Sequence, residues 1–341
     1  MVKKFIKYYR SVKTLINNTT FPKLSFCYIV YNESDYLKQS IDSIYDDAHE
    51  IFFSYGAIEN RHLVENDEKT LEIIKNYPDP GKKIKKIFIQ NEWASNVQMR
   101  NAPLKYLTGD YYFIIDGDEV YLENSIKIIK KEIIKYPQVM LFLIPCLVFW
   151  GDFKTVIGRK FNFDRIFKIS ESCKIVPSGN KMVNRYGIDY KYLSYINLGL
   201  KYSHLFNHYS YVRNDEYIKD KMSFYSNRTD NNGLTKGIKN YYENIWLKSK
   251  YDMKSVIEKY GGFHPVHPWQ FNKLYNYTGE HPSVMKNHPF WSFDYQSGLN
   301  IEIDEWRPKI KRKLTIQKKI ITIKVVKQTI YFNMLKLFNK L

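Results

Sequence analysis

The chain has 341 residues, 44% of them hydrophobic and 26% charged, so it can build a full core and is not a disordered chain. Its formal net charge of +18 favours anionic partners: nucleic acid, lipid headgroups or phosphorylated ligands. Three cysteines, Cys27, Cys146 and Cys173, are odd in number and lack metal spacing, which predicts free thiols in a reducing compartment rather than a disulfide framework.

The N-terminal residues have no long apolar core, and no signal peptide is expected. "KLSFCYIV" (23–30) is β-branched and aromatic on both faces, the pattern of a central parallel strand. Ser34 is placed to cap a helix on which Leu37, Ile41 and Ile44 keep helical spacing. A second strand, 49–56, is expected to end at Gly56. A helix over 67–77, a strand over 85–91, a helix over 95–107 with a possible kink at Pro103, and a strand over 110–116 come next. Strand–helix alternation of this kind predicts a doubly wound, mostly parallel α/β sheet, with ligands at the carboxyl ends of its strands. The apolar run 139–150 is shorter than the roughly 20 residues of a membrane span and reads as one or two buried strands. Beyond it, strands are expected over 161–170 and 172–179, helices over 214–228 and 238–260, and a loop over 261–271 carrying His264 and His267. Four regions result: a basic segment 1–22, an alternating α/β half 23–150, a less regular half 151–305 and a basic tail 306–341.

The fourth strand ends on Asp116-Gly117-Asp118. Two acids flanking one glycine repel unless a cation neutralises them, and a tight turn can aim both carboxylates at one hard ion such as magnesium or manganese, bridged to a diphosphate. A solvated Asp-Gly turn is the plainer reading.

Four ordered pieces resemble the family 2 glycosyltransferases, which have the GT-A fold: "FCYIVYNESDYLKQSIDSI", "NDEKTLEII", "QMRNAPLKYLTGDYYFIIDGDE" and "HYSYVRNDEYIKDKMSFYS". The resemblance implies inverting transfer of a sugar from a nucleotide-diphosphate donor to a hydroxyl of a glycan or lipid-linked acceptor. It implies Mn2+ or Mg2+ at Asp118, with Asp116 near the ribose and metal and His208 completing the metal shell or touching the diphosphate. Asn32 and Glu33 would border the base, and Arg100 would reach the nucleotide. The family's second strand usually ends in an Asp; here Ser54 and Tyr55 stand there, and Glu59 is the nearest carboxylate.

The family's base motif is absent from 174–183, so the general base falls to Asp164 or Asp189, with Asp215 read as a helix N-terminal acid. Asp164 is placed to pair with Arg165. His204 and His208 have i,i+4 spacing, but their aromatic surroundings read as strand and turn. The basic tail interleaves lysines with Ile, Val, Phe and Leu, which suits an anionic membrane surface, and no nucleic-acid-binding signature accompanies it. A cytoplasmic enzyme, peripheral at a membrane face, is the resulting expectation. A GT-A-like binding protein without turnover and a nucleotidyltransferase are the alternatives; the latter would carry a Gly-rich loop after the first strand, where "YNESDY" has none.

Overall fold

The computed structural model describes residues 21–58, 67–158, 161–177, 181–227, 241–264 and 272–307. Glu59, His267 and nearly all of the basic tail lie outside the described residues. Four parallel strands form the first half of the sheet: β1 (Leu24–Val30), β2 (Glu50–Ile58), β3 (Ile84–Trp93) and β4 (Tyr111–Asp116), in the order β3-β2-β1-β4. Helices α1 (Leu37–Ile44), α2 (Glu68–Lys75) and α3 (Asn96–Asn101) make the crossovers. Alternate residues of β1 enter different cores. Phe26, Tyr28 and Val30 pack with Leu37, Ile41 and Ile44 of α1, while Cys27 packs with Phe52, Tyr112 and Ile114. Both faces of the sheet are therefore covered, as its continuous apolar strands require.

β5 (Glu119–Tyr121), α4 (Ser125–Lys135), β6 (Leu141–Trp150), β7 (Thr155–Ile157) and β8 (Phe161–Lys168) extend the sheet. β8 runs antiparallel between β4 and β6. Short pieces β9 (Lys174–Val176), β10 (Lys181–Val183), α5 (Tyr190–Leu193) and β11 (Tyr195–Asn197) lead to β12 (Phe206–Tyr211), which lies between β5 and β6. α6 (Asp215–Asn227), a π-helical turn (Tyr242–Leu247) and α7 (Met253–Tyr260) come after it, and β13 (Leu274–Asn276) and β14 (Asp304–Glu305) close the far edge through β7.

Several boundaries differ from the sequence reading. Gly56 does not end β2; it adopts φ 139°, where the register with β3 shifts, and the strand runs on to Ile58. Ser34 does not cap α1, which starts after Tyr36 with no side-chain cap. The helix expected over 95–107 stops at Asn101, and Pro103 introduces a single 3-10 turn. The apolar run 139–150 is one strand despite Pro145, whose carbonyl accepts from Leu205 N. Helix 238–260 breaks before Asp252, whose carboxylate caps α7.

At the amino ends of the strands lies Glu50, a buried acid satisfied by neutral donors. It accepts from the Ser25 hydroxyl at 2.6 Å, the Thr108 amide and hydroxyl at 2.7 Å each, and the Gly109 amide at 3.1 Å. Burial resists its ionisation, but these four donors outweigh burial and lower its pKa. A lowered folded pKa adds stability above the unfolded value of about 4.3, lost as pH falls through the folded value. Urea unfolding should therefore find Glu50→Gln less stable than the parent by about 1–3 kcal/mol at pH 7. The gap should narrow below about pH 4; a gap independent of pH would show that the carboxylate charge contributes nothing.

Candidate active site

β1 and β4 are neighbours with Ile29 opposite Asp116, so the turn after each strand emerges at the same edge. After β1 the chain turns sharply. Asn32 takes a left-handed φ of 54°, a conformation asparagine tolerates better than most residues, and its amide donates to the Asp67 carboxylate. Asp67 also caps α2. The turn after β4 touches this loop: a Cβ on Gly117 would lie 2.9 Å from Glu33 Cβ. Only glycine allows the acid-bearing turn to approach so closely.

The repulsion expected between Asp116 and Asp118 is met by the protein's own cations. Asp116 accepts from Arg100 Nη2 at 3.0 Å and from Arg165 Nη2 at 2.9 Å. Arg100 reaches in from α3 and is buried. Arg165 arrives by a β-bulge: Leu143 pairs with Asp164 and Phe142 with Ile166, so Arg165 has no residue opposite it in β6. It also ion-pairs with the fully buried Glu119. Burial pushes the Glu119 carboxyl up to about 7, against the pull of Arg165. Burial also resists ionisation of Asp116, yet Arg165 and Arg100 together hold its pKa below the usual value. Each Asp116 oxygen is thus engaged by one guanidinium, and the acid is part of an arginine network.

Asp118 faces His208 on β12, with Oδ1 3.1 Å from Nε2. Burial works against the Asp118 charge, but the charge and hydrogen bond of His208, then Lys221 and Arg213, hold its pKa far below the carboxylate range. Burial likewise works against protonated His208, and Asp118 overrides it and raises the pKa. His208 Nδ1 is buried without a hydrogen-bond partner.

These two side chains could hold a divalent ion. Adjacent ligands of an octahedral ion, each about 2.1 Å from it, lie about 3 Å apart, close to the observed 3.1 Å. Among the described residues no group of three or more His, Cys, Asp or Glu forms a metal cage. The donor set fits an ion that takes most of its shell from water and phosphate oxygens, as magnesium and manganese do.

The other sequence candidates fall elsewhere. Asp164 does not pair with Arg165; Lys191 Nζ lies 3.3 Å from it, and burial raises its pKa. Asp189 caps α5, accepting from Lys191 N at 2.8 Å. Asp215 pairs with Lys250 at 2.6 Å and accepts from Trp246 Nε1. His204 and His208 do not share a face: His204 lies in the loop before β12 beside Tyr277 and Trp306. His264 is buried and bonds the Tyr211 hydroxyl.

Sequence reasoning missed Glu119, Arg165 and Arg213 as members of the cluster. Arg213 ion-pairs with Glu33 and Asp35 and stands 3.8 Å from Asp118. Arg213 lies just before α6, outside helical spacing with Tyr217 and Lys221, so no local signal in the sequence marked it.

A family model described as glycosyl transferase family 2 matches residues 25–190. The SPbeta prophage-derived glycosyltransferase SunS of Bacillus subtilis (strain 168) is 30% identical over 132 residues, 37% of this chain and 26% of the relative, and the SunS of Bacillus phage SPbeta matches to the same extent. The match thus spans about a quarter of the length of these curated relatives. Among solved structures, S. aureus TarS 1-349 is 13% identical at a TM-score of 0.33, covering 70% of this chain and 82% of that one. The mannosyltransferase PcManGT of Pyrobaculum calidifontis, with GDP-Man and Mn2+, is 16% identical at a TM-score of 0.29, covering 40% and 41%. Residues 25–190, just under half of the chain, are thus similar to glycosyl transferase family 2, and the parallel sheet order and the acids at the strand end lie within that stretch.

Proposed function

We propose that this chain is a divalent-cation-dependent glycosyltransferase that moves a sugar from a nucleotide-diphosphate donor to an acceptor hydroxyl with inversion. The observation that carries the reading is the pairing of Asp118 with His208 at the carboxyl end of the sheet, within a family 2 domain. Asp118 and His208 would hold Mn2+ or Mg2+, which when bound neutralises charge developing on the departing nucleoside diphosphate. Arg100 and Arg165 fix Asp116 beside that site. Asn32 and Glu33 border the nucleotide, and Asp67 and Tyr55, joined by the Tyr55 hydroxyl and the Asp67 carbonyl, line the same loop in place of a strand-end acid. For the acceptor proton, Asp164 is the favoured base: burial raises its pKa, which suits proton abstraction, whereas Asp189 already spends one oxygen on a helix cap. The acceptor is a glycan or lipid-linked glycan.

Calorimetry with UDP and with GDP, with and without Mn2+, tests the reading, followed by a nucleotide-sugar hydrolysis screen. Manganese-dependent binding of one nucleotide and turnover of one of its sugars are expected. Absence of both overturns the proposal, and binding without turnover favours the non-catalytic alternative. Asp118→Asn should weaken nucleotide binding in Mn2+ by at least about tenfold, or 1.4 kcal/mol, and leave metal-free binding nearly unchanged.

Arg165→Met separates support from chemistry. It leaves Glu119 buried without its partner, so urea unfolding should lose about 3–5 kcal/mol. A loss below about 1 kcal/mol would place the pair among weak surface contacts.

Membrane association is proposed from the sequence of the basic tail, and no helix among the described residues is long and apolar enough to cross a bilayer. The full chain should co-sediment with anionic vesicles at low salt and release at high salt, since each basic residue near such a surface contributes about 1 kcal/mol. Equal binding to neutral vesicles would remove the electrostatic basis.

A further inference from the structure

Arg213 lies between β12 and α6, and its side chain is completely buried. Its Nη1 meets Asp35 Oδ2 at 2.8 Å, its Nη2 bonds Glu33, and Nη2 stands 3.8 Å from Asp118 Oδ2. The flat guanidinium is sandwiched between the Tyr36 ring at 4.5 Å and the Tyr217 ring at 4.4 Å. The Tyr36 hydroxyl donates to the carbonyl of Val212, pinning the backbone just before Arg213. Tyr209 N donates to the Asp118 carbonyl at 3.0 Å, so the same segment also holds the acid's backbone. On the far side His288 stacks on Tyr36 at 4.5 Å and bonds the Asp35 carbonyl. The guanidinium is thus held by two ion pairs at its Nη atoms and two aromatic rings.

One cation therefore serves three carboxylates, two from the loop after β1 and one from the turn after β4. We propose that Arg213 is a positioning residue that ties the Asn32–Asp35 loop to Asp118, so that nucleotide and divalent cation bind as one coupled unit. This rests on the nucleotide-sugar reading of the site. The coupling has a physical route. Fixing Asp118 fixes the guanidinium it shares, and the guanidinium fixes the loop that borders the nucleotide. A nucleotide meeting a loop already ordered loses less conformational freedom, and linkage makes the effect reciprocal. Lysine would not substitute, because a single ammonium lacks the planar fork that reaches Asp35 and Glu33 together while stacking between two rings.

The full chain and its Arg213→Lys and Arg213→Gln variants decide the matter by two measurements. Without ligand, amide hydrogen exchange over 31–36 should quicken at least about tenfold in Arg213→Gln, while β1, β2 and β4 keep their protection. In calorimetry, the factor by which Mn2+ tightens UDP or GDP binding should fall at least about fivefold in both variants. Should Arg213→Gln fail to fold, Arg213→Lys, which keeps the charge, carries both measurements. Unchanged exchange over 31–36 overturns the proposal. So does an equal loss of nucleotide affinity with and without Mn2+, which is what a general structural defect would produce. If the parent binds neither nucleotide, the nucleotide-sugar reading fails, while the exchange measurement still decides whether Arg213 holds the loop.

Discussion

The site depends on how the chain neutralises a pair of acids at the end of β4. Asp116 and Asp118 are separated by one glycine and flank a turn packed against another acid, Glu33. In a partly dry environment such a cluster is stable only if cations are fixed beside it. Arg100, Arg165, His208 and Arg213 do this from α3, β8, β12 and the entry to α6. Much of the tertiary arrangement results from this need. β8 must bulge to aim Arg165, β12 must lie beside β5 to bring His208 to Asp118, and the chain must enter α6 directly over the Glu33 loop. Buried ion pairs of this kind add little net stability over an apolar alternative. Their retention is better understood through what the acids do.

The two ends of the sheet handle buried acids differently. Glu50, at the amino ends, is surrounded by hydroxyls and amides that belong to the backbone and to short side chains. Nothing there can leave without disrupting the turn at Thr108, so Glu50 is a structural anchor. Asp118, at the carboxyl ends, is matched chiefly by a histidine, a side-chain type that also serves as a metal ligand. Asp116 is matched by arginines, which do not lose protons. Within one tripeptide, therefore, one acid is locked and the other can exchange partners.

The parallel half was legible because its signals are local. Apolar runs such as 24–30 and 111–116 mark strands, and the acids at the end of β4 are contiguous in sequence. The cations were not legible, because their relation to the acids is purely tertiary. Arg165 looked like a partner for the adjacent Asp164, yet a bulge turns it to Asp116 and Glu119, and Asp164 pairs with Lys191 instead. Gly56 looked like a strand end because a glycine in a strand weakens it, but here it accommodates a register shift inside a longer strand. His204 and His208 have helical spacing, but the strand-and-turn reading of their aromatic surroundings is the one the structure shows, with β12 starting at Phe206 between them.

The family match ends at residue 190, but His208 and Arg213 lie beyond it. The acids, Arg100 and Arg165 thus belong to the shared domain, and the groups that complete the site around Asp118 belong to the region after it. The matched stretch supplies the carboxylates at the strand end, and the segment from β12 into α6 supplies the His208 and Arg213 contacts around Asp118 and the loop after β1. Tyr36 illustrates the dependence. It belongs to the matched domain, yet its ring is held between Arg213, Tyr209 and His288, all from later in the chain. The loop after β1 is therefore shaped as much by residues 208–217 and His288 as by the strand that precedes it. Differences at this site between the chain and its relatives should accordingly be sought in that closing segment, where the contacts to Glu33, Asp35 and Asp118 are made.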